Sequence, residues 1–460
     1  MIPRYETEVM REVWAEELKF GLWLELELAV LEVRAEAGEL PMEQFERIKS
    51  KARFSIERIN EIEAEIGHDL LAFVQAVQEN LDPKDRSEFH RKMTSYDSEE
   101  IPLVMRIQTA IDRLRCGGGE AGGLYELHKA LMARAKQHRR TLMIGRTHCQ
   151  HAEPVTFGFV LAGWADIFSR NDEELDHLCN GVMNVGKLSG AVGVYGDLSP
   201  AVEKSVCNTF NVKPARHSTQ ILHRDRHARV MNELAILASN IEHVATDLRL
   251  MSQTEVGEIR EPFGKKQKGS SRMPHKKNPI TLERLCGMAR IVRGNALAMM
   301  ESISTWSERD ISQSSVERIV LADSFHLVHY MLKKLTWIIA EMEVFPRRML
   351  ENIALTKDCV YSGRVKDLLL GWGMEPEQAY RLVQQLSFSA MSGTSPLRGL
   401  VACNSEIEQL VNAGDRTERQ KQLTACFDPW QGLSHLDEIY TRFGIDEEEI
   451  KKEEEVITEP

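Results

Sequence analysis

Val230-Met-Asn-Glu-Leu234-Ala-Ile-Leu237-Ala-Ser-Asn-Ile241-Glu-His-Val244-Ala-Thr-Asp-Leu248-Arg-Leu-Met251 spaces its apolar residues alternately four and three apart. That alternation keeps them on one face of an α-helix, in a stripe narrow enough to be covered by other helices. Leu321, Phe325, Val328, Leu332, Leu335, Ile339 and Met342 repeat the pattern. Each run covers about 22 residues, or about 33 Å of helix. Such seams pack against neighbours at shallow angles, and two of them cannot cover each other fully. The pattern predicts an all-α fold built on a long-helix bundle that several subunits share. No strand alternation of any length competes with it.

Working outward, the long-helix region is expected to run from about 98 to 346. Residues 1–97 read as an N-terminal domain of shorter helices, one of which spans Asn60 to Glu79 around Gly67-His68-Asp69. Beyond Arg347 the seam is lost, and Gly371, Gly373, Pro376, Gly393, Pro396 and Gly399 punctuate a small C-terminal helical domain, 347–460. Its end, Asp446 to Glu455, is a charge run read as a solvated tail. The Gly-rich insert Cys116 to Gly123 reads as a surface loop interrupting the first long helix.

Composition narrows the function. A net charge of −12 argues against a nucleic-acid surface, so local basic clusters are devices for small anions. No apolar signal region opens the chain and no apolar run reaches membrane length, which predicts a soluble cytoplasmic protein. The eight cysteines form no Cys-x-x-Cys pair, which argues against a disulfide framework or a zinc knuckle.

Five stretches bear on chemistry. Lys268-Gly-Ser-Ser-Arg-Met-Pro-His-Lys-Lys-Asn-Pro-Ile280 sets serines, cations and an amide between a glycine and two prolines. It suits an active-site lid closing over an anion, or else a solvated basic loop. Gly145-Arg-Thr-His-Cys-Gln-His-Ala-Glu-Pro154 pairs His148 with His151, without a further ligand at zinc spacing; a buried structural histidine is the alternative. His223-Arg-Asp-Arg-His227 mimics a metal pair on a helix, but it lacks the intervening glutamate and reads as a charged helix start. Gly181 to Lys187 nearly spells a phosphate-binding loop, yet Leu188 stands where a magnesium-holding hydroxyl is needed. Trp306 to Arg318 gathers Arg309, Ser312, Ser314, Ser315 and Arg318, the forks and hydroxyls that orient a phosphate; a salt-bridged helix start would carry the same residues.

The order of these residues resembles the fumarase/aspartase lyase superfamily, and within it the adenylosuccinate lyases. Gly-Ser-Ser-x-Met-Pro-His-Lys-x-Asn-Pro (269–279) is similar to the superfamily's signature loop, and Thr147-His-x-Gln150 to its second signature. Gly186-Lys-Leu-Ser-Gly-Ala-Val-Gly193, Ser218-Thr-Gln220, Trp306 to Arg318 and Arg4-Tyr5 also resemble adenylosuccinate lyase motifs, so the likeness runs from Arg4 to about residue 445. It implies three helical domains per subunit and a homotetramer whose active sites each draw on three chains. The implied reaction is β-elimination of fumarate from purine nucleotide substrates, with no cofactor and no metal.

Residue by residue, the resemblance implies Ser270 as base and His148 as acid, with Glu283 beside the acid. Thr94, Ser95, Gln220, Lys276 and Asn278 would hold the succinyl carboxylates. His68, Asp69 and His90 would line the nucleotide side, and Arg4, Tyr5, Arg309, Ser314 and Arg318 would grip the 5′-phosphate. Departures from the family pattern are Lys92-Met93 and Tyr96 around Thr94-Ser95, Glu100-Ile-Pro102 after them, and Arg272 and Arg284. The alternatives are another fumarate-releasing lyase or cycloisomerase of the superfamily, or a catalytically silent helical scaffold.

Overall fold

The computed structural model describes residues 1–119 and 122–445. Its helices, in chain order, begin with α1 (Glu8–Trp14), α2 (Glu16–Glu36), α3 (Met42–Lys51), α4 (Ile56–Ile66), α5 (Asp69–Gln78), α6 (Ser95–Cys116) and α7 (Leu124–Gln137). Two strands follow, β1 (Leu142–Thr147) and β2 (Gln150–Thr156). Then come α8 (Phe157–His177), α9 (Pro200–Thr209), α10 (Asp225–Met251), α11 (Ile280–Glu301) and α12 (Ser312–Glu341). Shorter helices continue from Pro346 to Thr441. The charge run from Asp446 lies outside the described residues.

The chain divides into two compact units. The first comprises Met1–His128, Ile167–Ala245 and Glu283–Trp337; the second comprises Lys129–Asp166, Thr246–Leu282 and Ile338 onward. In the first, Phe20, Trp23, Phe73 and Phe89 anchor an aromatic core between α2 and α5, with Phe20 and Phe73 stacked at 5.9 Å. Within the same unit the seam residues Val230, Leu234, Leu237 and Ile241 of α10 and Phe325, Val328 and Leu332 of α12 are fully buried, as the periodicity predicts. Polar bonds set the register of these helices: Asn171 of α8 donates to Glu233 of α10 at 2.6 Å, and Asn295 of α11 to Ser324 of α12 at 3.0 Å. The second unit has its own core on Tyr361, Val365, Leu369, Leu397, Val401 and Phe427.

Several expectations change. The segment Asn60 to Glu79 is two helices, because Gly67 takes a left-handed φ of 67° and His68 then caps α5 through its Nδ1. The Gly-rich insert interrupts the helix as expected, but among its described residues only Cys116 and Gly119 are exposed, while Gly117, Gly122 and Gly123 are buried. The absence of strands was a misreading, since β1 and β2 form an antiparallel hairpin. Its alternation is hidden by a register shift between Ile144 and Arg146, with Gly145 and Pro154 inside the strands. The histidines of 223–227 do not share a helical face either. Helix α10 starts at Asp225, His227 is buried, and exposed His223 faces His217 at 3.3 Å.

Candidate active site

The hairpin turns on two residues, His148 and Cys149, with φ of 53° and 60°. Two consecutive positive φ values make the tight turn whose twist matches the strands, normally filled by Asn or Gly. A histidine there is held at a conformational cost, and such cost concentrates where a side chain must be aimed. The root of the hairpin is rigid. Arg146 grips the buried Glu258 carboxylate with both guanidinium nitrogens, at 3.0 and 2.6 Å, and Asn352 donates to the same carboxylate at 2.8 Å. His148 itself stands exposed at the tip. His151 is half-buried, and burial followed by the charge of Arg146 lowers its pKa.

The signature loop lies in the same unit. Ser270 N–H donates to Lys276 O at 3.1 Å, and Met273 N–H donates to Ser270 Oγ at 3.3 Å, closing 270–276 into one turn. Gly269 is required there, because a Cβ would stand 2.6 Å from Pro274 O. Asn278 O accepts from Ile280 N–H where α11 begins. The buried Glu261 carboxylate then accepts the Thr281 and Leu282 N–H groups at 3.0 and 3.2 Å, so the helix start that follows the loop is capped from a distance.

The remaining candidates lie in the first unit and form three groups. Asp69 opens α5 and holds Arg318 at 2.7 Å and Lys19 at 3.6 Å, with His68 beside it. Burial raises the Asp69 pKa, but Lys19, Arg318 and the Leu70 N–H outweigh that and hold it below the usual carboxylate range. Arg318, Ser314 and Lys19 line a cavity of about 280 Å³, together with Glu99 and the two tryptophans Trp14 and Trp23. The Glu99 pKa is pushed up to about 7, first by burial and then by Asp69, against the pull of Lys19, Arg318 and Arg309. The serine hydroxyls bond within the helix start: Ser312 bonds Asp310, while Ser314 and Ser315 donate to Ile311 O.

The second group surrounds Thr94 and Ser95. Thr94 caps α6 in a reciprocal box with Asp97, whose Oδ2 accepts the Thr94 N–H at 3.0 Å. The other oxygen, Oδ1, accepts from Lys187 Nζ at 2.7 Å, and both residues are fully buried. Lys187 also donates to Gln220 O at 2.8 Å, which binds the 94–97 cap to the glutamine motif. This is why 181–187 is no nucleotide loop: its lysine is an internal strut. His90, at φ 63°, sets Nδ1 2.7 Å from Glu27 Oε1. The third group is aromatic: Tyr5 packs edge-on against Tyr330 at 5.4 Å, and Tyr330 OH accepts from Arg284 at 2.9 Å. Glu283 lies exposed in the first turn of α11.

His90 yields a pH prediction. Burial lowers its pKa, but the Glu27 hydrogen bond and the charges of Glu27 and Asp97 outweigh that and raise it above the ordinary value. A raised folded pKa contributes stability that is whole below the unfolded value, about 6.5. That contribution is lost as pH rises through the folded value. His90→Asn is therefore expected to flatten the fall in stability above about pH 6.5, read from thermal melts across that range. An unchanged slope would assign the dependence to another group.

Sequence reading missed Lys19, Glu27, Lys187 and Arg224 as partners of the site. Only Asp97 carried a local signal, three residues after Thr94 as in a capping box. Arg224 is fully buried between Glu100 and Glu317, with Glu317 Oε1 at 2.7 Å. The unusual Glu100 is thus the counter-charge of a buried arginine.

Comparison with known proteins gives the family and the fold. A family model described as a lyase matches residues 4–294. The adenylosuccinate lyases of Synechocystis sp. and Bacillus subtilis are 40% and 39% identical to the chain, each over 97% of it and 100% of their own length. That of Aquifex aeolicus is 37% identical over the same shares. The solved structure of a fumarate lyase from Mesorhizobium sp. BNC1 superposes with a TM-score of 0.81 at 23% identity, covering 93% of this chain and 96% of that one. A 3-carboxy-cis,cis-muconate lactonizing enzyme from Pseudomonas putida gives 0.81 at 25% identity over 94% of each. Among the described residues, no helix is long and apolar enough to cross a membrane.

Proposed function

The chain belongs to the adenylosuccinate lyases of the fumarase/aspartase superfamily, and from that premise we propose that it eliminates fumarate from adenylosuccinate, leaving AMP. By the same chemistry it would cleave succinyl-aminoimidazole-carboxamide ribotide. The observation that carries this reading is the signature loop, where Ser270 and Lys276 share one closed turn.

In this reading Ser270 Oγ removes the proton beside the succinyl carboxylate, the C–N bond breaks, and His148 protonates the departing nitrogen. Serine is a weak base, so its alkoxide needs the cations of the loop and the exclusion of water when the loop closes. Lys276, Asn278, Thr94, Ser95 and Gln220 hold the carboxylate whose charge grows during proton removal. Glu283 orients the acid. His68, Asp69 and His90 line the nucleotide side, and Arg4, Tyr5, Arg309, Ser314 and Arg318 take the 5′-phosphate.

The proposal extends to assembly. Ile236 on α10, Ile291 and Leu297 on α11, and Ile319 and Trp337 on α12 are exposed along helices already packed on another face. Exposed apolar residues repeated along these long helices support an interface there. We assign it to a homotetramer in which these helices form one bundle and each active site is completed by other subunits. The functional divisions at 97 and 346, and a cytoplasmic setting, belong to the same proposal.

Incubation of purified protein with adenylosuccinate, argininosuccinate or aspartate should release fumarate from the first alone; release only from another would redirect the assignment. Removing the 5′-phosphate from adenylosuccinate should weaken binding about a hundredfold or more, since charge-assisted bonds to a desolvated anion are each worth about 1.5–3 kcal/mol. Equal competition by the dephosphorylated compound would displace the phosphate from the arginine cluster.

A further inference from the structure

Tyr96 is one of the departures from the family pattern, and the mechanism above leaves it without a task. Its ring is 3% exposed, and its hydroxyl accepts from Gln313 Nε2 at 3.1 Å at the start of α12. Two guanidinium groups approach that ring, Arg309 at 4.0 Å from the centroid and Arg224 at 5.5 Å. They differ in freedom. Arg224 is locked by Glu100, by Glu317 and by Leu222 O at 2.9 Å. Arg309 stands between α11 and α12, outside either helix. Its Nη1 donates to Gln220 Oε1 at 2.9 Å, while its buried Nε has no hydrogen-bond partner.

We propose that Tyr96 is a specificity-determining positioning residue: its pinned ring fixes the plane of Arg309, so that one guanidinium edge serves Gln220 while other donors stay available to the substrate phosphate. A guanidinium on an aromatic face slides but does not tilt, because both its charge and its flat face favour contact with the ring. Gln313 stops the ring from following the arginine, and the locked Arg224 limits movement on the side of Glu100. The two ends of the substrate, succinyl at Gln220 and phosphate at Arg309, are thereby referred to one rigid platform. The proposal rests on the adenylosuccinate reading of Arg309 and Gln220.

The test compares KM and kcat of wild type, Tyr96→Phe and Tyr96→Leu on adenylosuccinate and on its dephosphorylated form. Loss of the ring should raise KM for adenylosuccinate about five- to thirtyfold, the range of a partly desolvated cation–π contact. The change in kcat should be smaller, and KM for the dephosphorylated form should not change. Tyr96→Phe keeps the ring but loses the Gln313 anchor, so its KM for adenylosuccinate should fall between those of wild type and Tyr96→Leu. A merely structural role would raise KM equally on both compounds, and that outcome overturns the proposal.

Because Leu leaves space in a packed core, Tyr96→Met is run beside it. If neither folds, Gln313→Met, which removes the ring's anchor, decides: a rise in KM for adenylosuccinate alone supports the proposal, and no such rise overturns it. A wild type that ignores the phosphate refutes the phosphate reading itself. A wild type and a folded Tyr96→Leu that discriminate equally refute only the role of Tyr96.

Discussion

Mixed tetramers of Ser270→Ala and His148→Gln chains should recover activity that neither variant has alone. In the proposed mechanism each substitution removes one proton-transfer group, and such groups are worth about 10²–10⁴ in rate, so each variant should be folded and nearly inactive. If acid and base in a site come from different chains, random reassembly of equal amounts leaves about a quarter of the sites with both native residues. Activity should then approach that fraction of wild type after reversible dissociation and mixing. Each variant taken through the same treatment alone should stay inactive. Hybrids that form, as seen by native mass spectrometry, without any recovery would place Ser270 and His148 on one chain or remove one of them from the mechanism. The hairpin tip makes this a clean experiment, because His148 is exposed and its substitution leaves the Arg146–Glu258 root intact.

The second large effect is on stability. Lys187→Met should cost about 3–5 kcal/mol, the usual penalty for stranding one partner of a buried pair. The pair is fully buried at 2.7 Å, so Asp97 would keep a charge with no counter-ion while still capping Thr94. Lys187 also leaves Gln220 O and Gly190 O, so the 94–97 cap and the glutamine motif loosen together. Urea unfolding at fixed protein concentration reads the loss, because assembly makes apparent stability concentration-dependent. Lys187→Met with Asp97→Asn should lose less than the sum of the two single variants, since the double change removes the stranded charge. A single variant within about 1 kcal/mol of wild type would mean that water reaches the site and solvates Asp97.

The helical scaffold was legible because its information is local and repeated. Val230 to Met251 restates its face every three or four residues, and the burial of Val230, Leu234 and Leu237 follows from that alone. The lyase assignment was legible for a related reason: Gly269 to Pro279 is a contiguous run, and its single glycine is demanded by a 2.6 Å approach to backbone. The hairpin was not legible, since a register shift and an internal glycine and proline erase the period of two on which strand recognition depends. The positive φ of His148 and Cys149 also belongs to the turn as a whole; neither residue type announces it.

By itself, then, the chain's sequence determined the long helices and the family, each of which is written within a few consecutive turns or one unbroken motif. The tertiary structure decided which polar groups meet. Lys187 finds Asp97 across 90 residues, and Arg309 finds Gln220 across 89. Arg318 finds Asp69 across 249. No local period records such pairs, because a cation is satisfied by any acceptor the fold delivers to it, and that delivery is settled only when the helices pack.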